Sequence, residues 1–279
     1  MSLNSVNTNT GAAVALENLN STNNQIMTVQ NQINTGLRVA SAKDDGATWA
    51  IAQSQRAQVA SLDAVKDSLN RGLSATDVAL TAGQTISDLL TQMKQKALAA
   101  SDTSLDATSL SALNVDFQSL RDQITQVVTN ADFNGTNLIA NGAKNYNALA
   151  NASGTSTITV LAEDLSLGGT NVTVTSTDTI GTVTLAQAMV TTLDTDINNV
   201  SAALAKLGTG SNALQTQLDF TSKLQDTLNT GIGNLVDADL AQASATLQAL
   251  QTKQQLGVQA LSIANSSSST LLSLFRNIQ

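Results

Sequence analysis

Both ends of this chain combine a regular apolar face with almost no charge, and this feature constrains the possible folds most. In 240–275 the only charged side chain is Lys253, and in 1–37 it is Glu17. Surface helices normally carry charged residues opposite their apolar face. A helix whose other face is Gln, Ser, Thr and Asn therefore needs a partner surface that is similarly poor in charge. The two ends fit each other, or copies of themselves.

Each terminal stretch is predicted to be helical. Ala, Leu and Gln are frequent in 237–276, and the chain contains no proline. Gly36 after Asn34 and Thr35 is typical of a left-handed helix end, and the polar residues 4–10 are expected to fray. The apolar positions recur at near-helical steps. They include Leu16, Leu19, Ile26, Val29 and Ile33 in the first stretch and Leu247, Leu250, Leu261, Leu271, Leu272 and Phe275 in the second.

The middle of the chain contains further helical patterns, in which apolar residues advance by three or four positions. The segment 47–100 predicts a long helix with a seam like that of a coiled coil. The segment 109–130 is expected to fold back on it, and 185–229 is predicted to be its antiparallel mate. Gly72 and Gly83 are expected to weaken the first of these helices locally, and Gly231 and Gly233 to form a joint after the last one.

A small β region is predicted between about 133 and 183. Asn134 and Gly135 stand between apolar residues, which is a turn signal. The segments 158–161 (ITVL) and 172–175 (VTVT) alternate and are rich in β-branched residues, so they predict two strands. This region is too small to be a domain of its own.

Charge first clusters in the connector 37–46, between two helical blocks. Asp44 and Asp45 are expected at the positive N-terminus of the following helix. A catalytic role for this pair is disfavoured because adjacent residues on a helix do not face each other. Ser41 and Lys43 lack the glycine loop that an oxyanion site requires.

The composition excludes several classes of function. The net charge is −8, so nothing supplies the basic surface that nucleic acid requires. The chain has no histidine and no cysteine, which removes the commonest general base and metal ligand and all thiol chemistry. No signal peptide and no membrane span is recognisable, so the sequence indicates a cytoplasmic protein or one exported by a different route.

One motif begins like a calcium-binding loop. It consists of Asp194, Asp196 and Asn198 at alternating positions. Such a loop needs glycine at its sixth position and glutamate at its twelfth, where this chain has Asn199 and Ala205. The motif is therefore predicted to be a solvated helix face. We predict no metal, no cofactor and no catalytic residue.

Seven short motifs resemble one known family. They are 3–9 (LNSVNTN), 33–39 (INTGLRV), 41–46 (SAKDDG), 132–138 (DFNGTNL), 249–256 (ALQTKQQL), 260–265 (ALSIAN) and 271–276 (LLSLFR). In these motifs and their order the chain resembles bacterial flagellin, the filament subunit, and is similar to the short flagellins of alphaproteobacteria. The resemblance covers about 1–140 and 184–279.

The resemblance implies a mainly α fold with long antiparallel helical hairpin or coiled-coil rods, paired N- and C-terminal helices and a small β-hairpin region at the tip. The implied domains are an N-terminal inner-core arm (1–43), the N-terminal part of the rod (44–140), a short β region without a large outer domain (141–183), the C-terminal part of the rod (184–235) and a C-terminal inner-core arm (236–279).

The implied function is a non-enzymatic structural subunit that self-assembles into the flagellar filament for swimming motility. Export would use the flagellar type III system, and the filament would be extracellular. The implied partners are other subunits, the cap and hook-junction proteins, the export apparatus and an export chaperone, without nucleic acid or membrane insertion. The alternatives are a hook–filament junction protein, which would form one short layer, and an enzyme or ligand-binding coiled coil.

The resemblance also assigns roles to residues. The apolar positions of the two arms, with Ile263, would form the inner core, and Gly36, Arg38, Asp44 and Asp45 the connector. In many flagellins an innate immune receptor binds an arginine and a leucine on the first rod helix. Gln92 and Lys96 stand at those positions here, so weak receptor signalling is expected.

Overall fold

The computed structural model describes residues 8–276, and side chains as far as residue 266. In this range the elements are α1 (Thr10–Thr35), α2 (Gly46–Ala100), α3 (Ala107–Asn130), β1 (Tyr146–Leu149), β2 (Thr157–Val160), α4 (Val183–Val236) and α5 (Leu240–Arg276). The chain divides into one unit formed by 1–57 and 227–279 and a second formed by 58–226. The predicted mainly α class with a small β-hairpin is confirmed.

In the second unit α4 runs antiparallel to α2, as the spacing predicted. The Gln225 side chain donates to the Val59 carbonyl at 3.1 Å, and farther along the pair Lys94 forms an ion pair with Asp194. Residue numbers thus rise along α2 as they fall along α4. The fully buried core of the helices includes Leu69, Ile86, Leu90 and Met93 of α2, Phe117 and Ile124 of α3, and Leu193, Leu207 and Leu214 of α4.

Helix α2 runs through Gly72 and Gly83 without a break, and the surroundings of both glycines show a packing role that the spacing did not predict. A Cβ atom at Gly83 would lie 2.5 Å from Leu204 Cδ2 and 3.2 Å from Leu165 Cδ1. A Cβ atom at Gly72 would lie 2.6 Å from Tyr146 Cε1. These residues give up helix propensity so that neighbouring side chains can pack directly against the backbone.

We expect Gly83→Ala to lower the free energy of unfolding by about 1 kcal/mol. Alanine gains about 1 kcal/mol of helix propensity, but overpacking against Leu204 and the buried Leu165 costs about 1–3 kcal/mol. Gly208→Ala in α4 is the matched control, because nothing lies within 4 Å of its added Cβ, and it should stabilise. Urea denaturation followed by circular dichroism measures both, and a stabilising Gly83→Ala would contradict the packing role.

The predicted joint at Gly231 and Gly233 was wrong. Helix α4 continues through both glycines and ends at Val236. The Val236 carbonyl accepts hydrogen bonds from the backbone N–H groups of Arg38 and Val39 at 2.7 and 3.2 Å. The helix therefore ends where another segment takes over its carbonyl groups, and not where glycine occurs.

One of the two predicted strands was wrong. The predicted strand 158–161 overlaps β2, whose partner is β1, with Tyr146 opposite Val160 and Leu149 opposite Thr157. The segment 172–175 is not a strand. The Asn-Gly turn is confirmed: Asn134 and Gly135 have φ angles of 53° and 79°, as a type I′ turn requires.

The segment 172–175 is held by a carboxylate instead of a neighbouring strand. Asp196 on α4 is 0% exposed and accepts hydrogen bonds from the Thr173 N–H at 2.9 Å, the Thr173 hydroxyl at 2.8 Å and the Val174 N–H at 3.1 Å. The prediction of a solvated face was therefore wrong for Asp196. It describes Asp194, which is exposed and pairs with Lys94.

In the first unit α1 and α5 pack antiparallel, so the predicted pairing of terminal helices is confirmed. Asn9 Nδ2 donates to the Ala264 carbonyl at 2.8 Å, and Gln254 Nε2 donates to Asn23 Oδ1 at 2.7 Å. The predicted fraying of 4–10 falls mainly on residues outside the described range. Among the side chains that the structure describes on these two helices, the buried apolar ones are Ile26, Ala243 and Leu250.

Candidate assembly surfaces and connector

The segments that leave α1 and enter α5 are tied together by backbone hydrogen bonds. Gly36 ends α1 with φ 71°, the left-handed conformation predicted for it. The next residue, Leu37, forms an antiparallel bridge with Asp237, and the Ala238 N–H donates to the Gly36 carbonyl at 2.9 Å. The two connecting segments therefore form a single joint within the first unit.

Arg38 ties this joint to the end of α4. Its Nη2 donates to the Leu235 carbonyl at 2.6 Å. Leu235 lies in the last turn of α4, where carbonyl groups lack a partner within the helix and the helix dipole favours a cation. Arg38 thus caps the C-terminus of α4 twice: its side chain binds the Leu235 carbonyl, and its backbone N–H binds the Val236 carbonyl.

The two aspartates of the connector have separate roles. Asp45 caps α2, because its carboxylate accepts from the N–H groups of Ala47 and Thr48, each at 3.1 Å, and from the Thr48 hydroxyl at 2.6 Å. The hydrogen bonds from Thr48 hold the pKa of Asp45 below its ordinary value of 3.8. Asp44 was expected at the helix start, but it binds the turn before it through the N–H groups of Ala40 and Ser41.

The residues predicted for the inner core divide by exposure. Ile26 and Leu250 are buried between α1 and α5, whereas Leu16 is 48% and Ile263 69% exposed. The side chains of Leu271, Leu272 and Phe275 lie outside the part of the chain that the structure describes. The half-buried members are Leu19, Val29, Ile33, Leu247 and Leu261.

The helical spacing missed three exposed apolar side chains on the arms, Met27, Leu256 and Val258, which are 53–60% exposed. Met27 and Leu256 lie off the predicted apolar face, whereas Val258 lies three residues before Leu261 and could have been found by its spacing. A groove of about 840 Å³ runs beside the helix pair, lined by apolar residues such as Leu16 and Val29, by uncharged polar side chains and by Glu17. One chain thus leaves much apolar surface of its arms uncovered.

The receptor-equivalent positions lie on α2. Gln92 is exposed, and Lys96 is half-buried, with its Nζ 2.7 Å from Asp116 Oδ2 on α3. Within residues 8–276 no group of three or more acidic side chains is placed to hold a metal ion. None of the described helices has the length and apolar content to cross a bilayer.

Comparison with known proteins identifies the family to which these paired terminal helices belong. Residues 6–144 match the bacterial flagellin N-terminal helical region, and residues 190–275 match the bacterial flagellin C-terminal helical region. The chain is 58% identical to flagellin FljK of Caulobacter vibrioides, over 99% of this chain and 100% of that protein. It is 37% identical to a flagellin of Brucella melitensis, over 98% and 99% of the two chains.

A solved structure of a putative flagellar hook-associated protein from Vibrio parahaemolyticus shares the fold. It has a TM-score of 0.59 and 14% identity, covering 70% of this chain and 100% of that one. The full-length relatives, by contrast, are flagellins. The chain belongs to the bacterial flagellin family and is a structural subunit of the flagellar filament, not an enzyme.

Proposed function

We propose that α1 and α5 form the inner core of the filament and become stably helical only when subunits assemble. The observation that carries this proposal is the exposure of apolar side chains on both arms, exemplified by Leu16, Met27, Leu256 and Ile263. Fully burying such a side chain stabilises by about 1.5–3 kcal/mol. Neighbouring copies of the same charge-poor arms are the surfaces suited to cover them.

The subunit, in this proposal, leaves the cell through the flagellar type III export channel and adds at the distal tip of an extracellular filament beneath a cap protein. The hook-junction protein would receive the first subunits, and an export chaperone would cover the arms before export. Family membership supports this route. The domain limits 1–43, 44–140, 141–183, 184–235 and 236–279 are part of the same proposal.

Seeded polymerisation tests the filament assembly on which the proposal rests. Purified subunits, added to short fragments of sheared filament, are expected to extend them, and negative-stain electron micrographs would measure filament length over time. Subunits without seeds are the control. Hydrogen exchange should show the amides of α1 and α5 protected in filaments and rapidly exchanging in monomer. Equal protection in both states would contradict ordering on assembly.

Replacing Asp44 and Asp45 together with Ala is expected to weaken polymerisation by about tenfold or more, while the melting temperature of the monomer moves little. The double change removes the caps of both the turn and α2, and a capping residue is worth about 0.5–2 kcal/mol. Asp102→Ala is the matched control, because this exposed carboxylate caps a turn in the second unit. An unchanged polymerisation rate would contradict the assembly role.

A further inference from the structure

The second unit has an exposed aromatic side chain and an open apolar groove. Phe220 on α4 is 56% exposed. A groove of about 600 Å³ runs between α2 and α3. Its floor is apolar, with Val78 and Val127 half-buried and Ala131 buried. An exposed phenylalanine is unusual in a chain whose aromatic content is only 2%.

Phe220 cannot occupy this groove within its own chain. Helix α4 pairs with α2 so that Leu214 lies against Gly72 and Gln225 binds Val59. Phe220 lies between Leu214 and Gln225 on α4, so it lies beside the part of α2 between Val59 and Gly72. Val78 lies farther along α2, by roughly 10–20 Å at 1.5 Å per residue. The side chain does not span that distance, so the occupant must come from another molecule.

We propose that Phe220 of one subunit inserts into the groove over Val78 and Val127 of a neighbouring copy. The proposal rests on the filament assembly of the family. A contact between two different surfaces of the same chain is heterologous, so it leaves a free Phe220 and a free groove at the two ends of every assembly. Such a contact propagates into an open helical array, as a filament requires.

One charged residue beside each surface is opposite in sign to one beside the other, although Asp219 and Asp226 near Phe220 are also acidic. Asp77 is exposed on the rim of the groove. Lys223 lies one helical turn beyond Phe220, on the same side of α4, and is exposed. When the phenylalanine occupies the groove of another copy, the ammonium and the carboxylate are brought to neighbouring positions. This pair fixes the direction of the contact more than its strength.

Truncation of the aromatic side chain is the first test. Phe220→Ala is expected to raise the critical concentration for polymerisation by about tenfold, since buried aromatic anchors dominate interfaces of this kind. The matched control is Leu161→Ala, another apolar side chain that is 55% exposed in the same unit, and it should leave the critical concentration unchanged. Monomer melting should be the same for both variants, which separates assembly from folding.

A charge exchange tests the direction of the contact. Asp77→Lys and Lys223→Asp should each raise the critical concentration, and the double variant should recover most of the loss. A double variant that is as impaired as the sum of the single variants would contradict the pairing of these two residues.

Cross-linking locates the contact, and the chain has no native cysteine to interfere. Asp219→Cys and Gln126→Cys flank the two surfaces and leave Phe220 and Val127 intact. In filaments a short bismaleimide is expected to produce a ladder of covalent multimers. The control pair Asp219→Cys with Leu98→Cys, which is also exposed, should give no ladder.

The possible results distinguish a failure of the proposed Phe220 contact from a failure of filament assembly as a whole. Covalent products that stop at the dimer would show a reciprocal contact and overturn the proposal. Filaments that form normally with Phe220→Ala and give no ladder would also overturn it and leave the filament function intact. Failure of the unsubstituted chain to polymerise would instead reject the assembly on which the proposal rests.

Discussion

A fragment comprising residues 47–230 is expected to keep its helical content and to lose polymerisation completely. The fragment retains the buried side chains of the second unit, including Leu69, Phe117 and Leu193. It lacks α1, α5 and the connector joint. The expected result is a cooperative thermal transition close to that of the full chain, with no filaments at any concentration tested.

The physical reason is the small amount of apolar surface that the arms bury in one chain. Helix α1 has 26 residues and α5 has 37, yet Ile26, Ala243 and Leu250 are the buried apolar side chains of this pair among those described. Ordering the backbone costs about 1–2 kcal/mol per residue, and isolated helices are marginal in water. We therefore expect the arms to depend on burial against other subunits.

Limited proteolysis provides the independent measurement. In dilute monomer both arms should be removed first and leave a stable middle fragment, whereas in filaments the same sites should be protected. Casein digested in parallel with filaments controls for inhibition of the protease. Arms that resist cleavage in monomer as strongly as the rest of the chain would contradict ordering on assembly, and a fragment that polymerises would contradict the inner-core role.

Asp196→Ala is expected to destabilise the second unit by about 3 kcal/mol. The change removes the acceptor for two backbone N–H groups and one hydroxyl, and the Val174 N–H is buried. Each buried donor left without a partner costs about 1–3 kcal/mol. The segment 172–180 would lose its anchor on α4, although Arg121 and Asn114 of α3 still bind the Asp178 carbonyl and the Ile180 N–H.

Asp194→Ala is the matched control, two residues away on the same helix. Its carboxylate is half exposed and pairs with Lys94 at the surface. Surface ion pairs contribute about 0–1 kcal/mol, so the expected loss is small. Urea denaturation gives both values, and hydrogen exchange at Thr173 and Val174 reports whether the loop opens. Equal effects of the two changes would show that Asp196 does not anchor the loop.

The helices could be predicted from the sequence because their signals are local. Apolar residues spaced by three and four and the absence of proline predicted α2 and α3 to within two residues, and Gly36 predicted the end of α1. The charge-poor arms predicted the pairing of α1 with α5. Family motifs added the filament function, which no spacing in the chain could indicate.

What the tertiary structure decided depends on contacts between residues distant in sequence. The segment 172–175 has a strand pattern, but the buried carboxylate of Asp196 takes the N–H groups that a strand partner would need. Gly83 disfavours a helix locally, yet it lies inside α2 because Leu204 and Leu165 fill the space of its missing side chain. Periodicity shows which residues prefer burial, whereas only packing between elements determines which of them, as with Phe220, are left exposed.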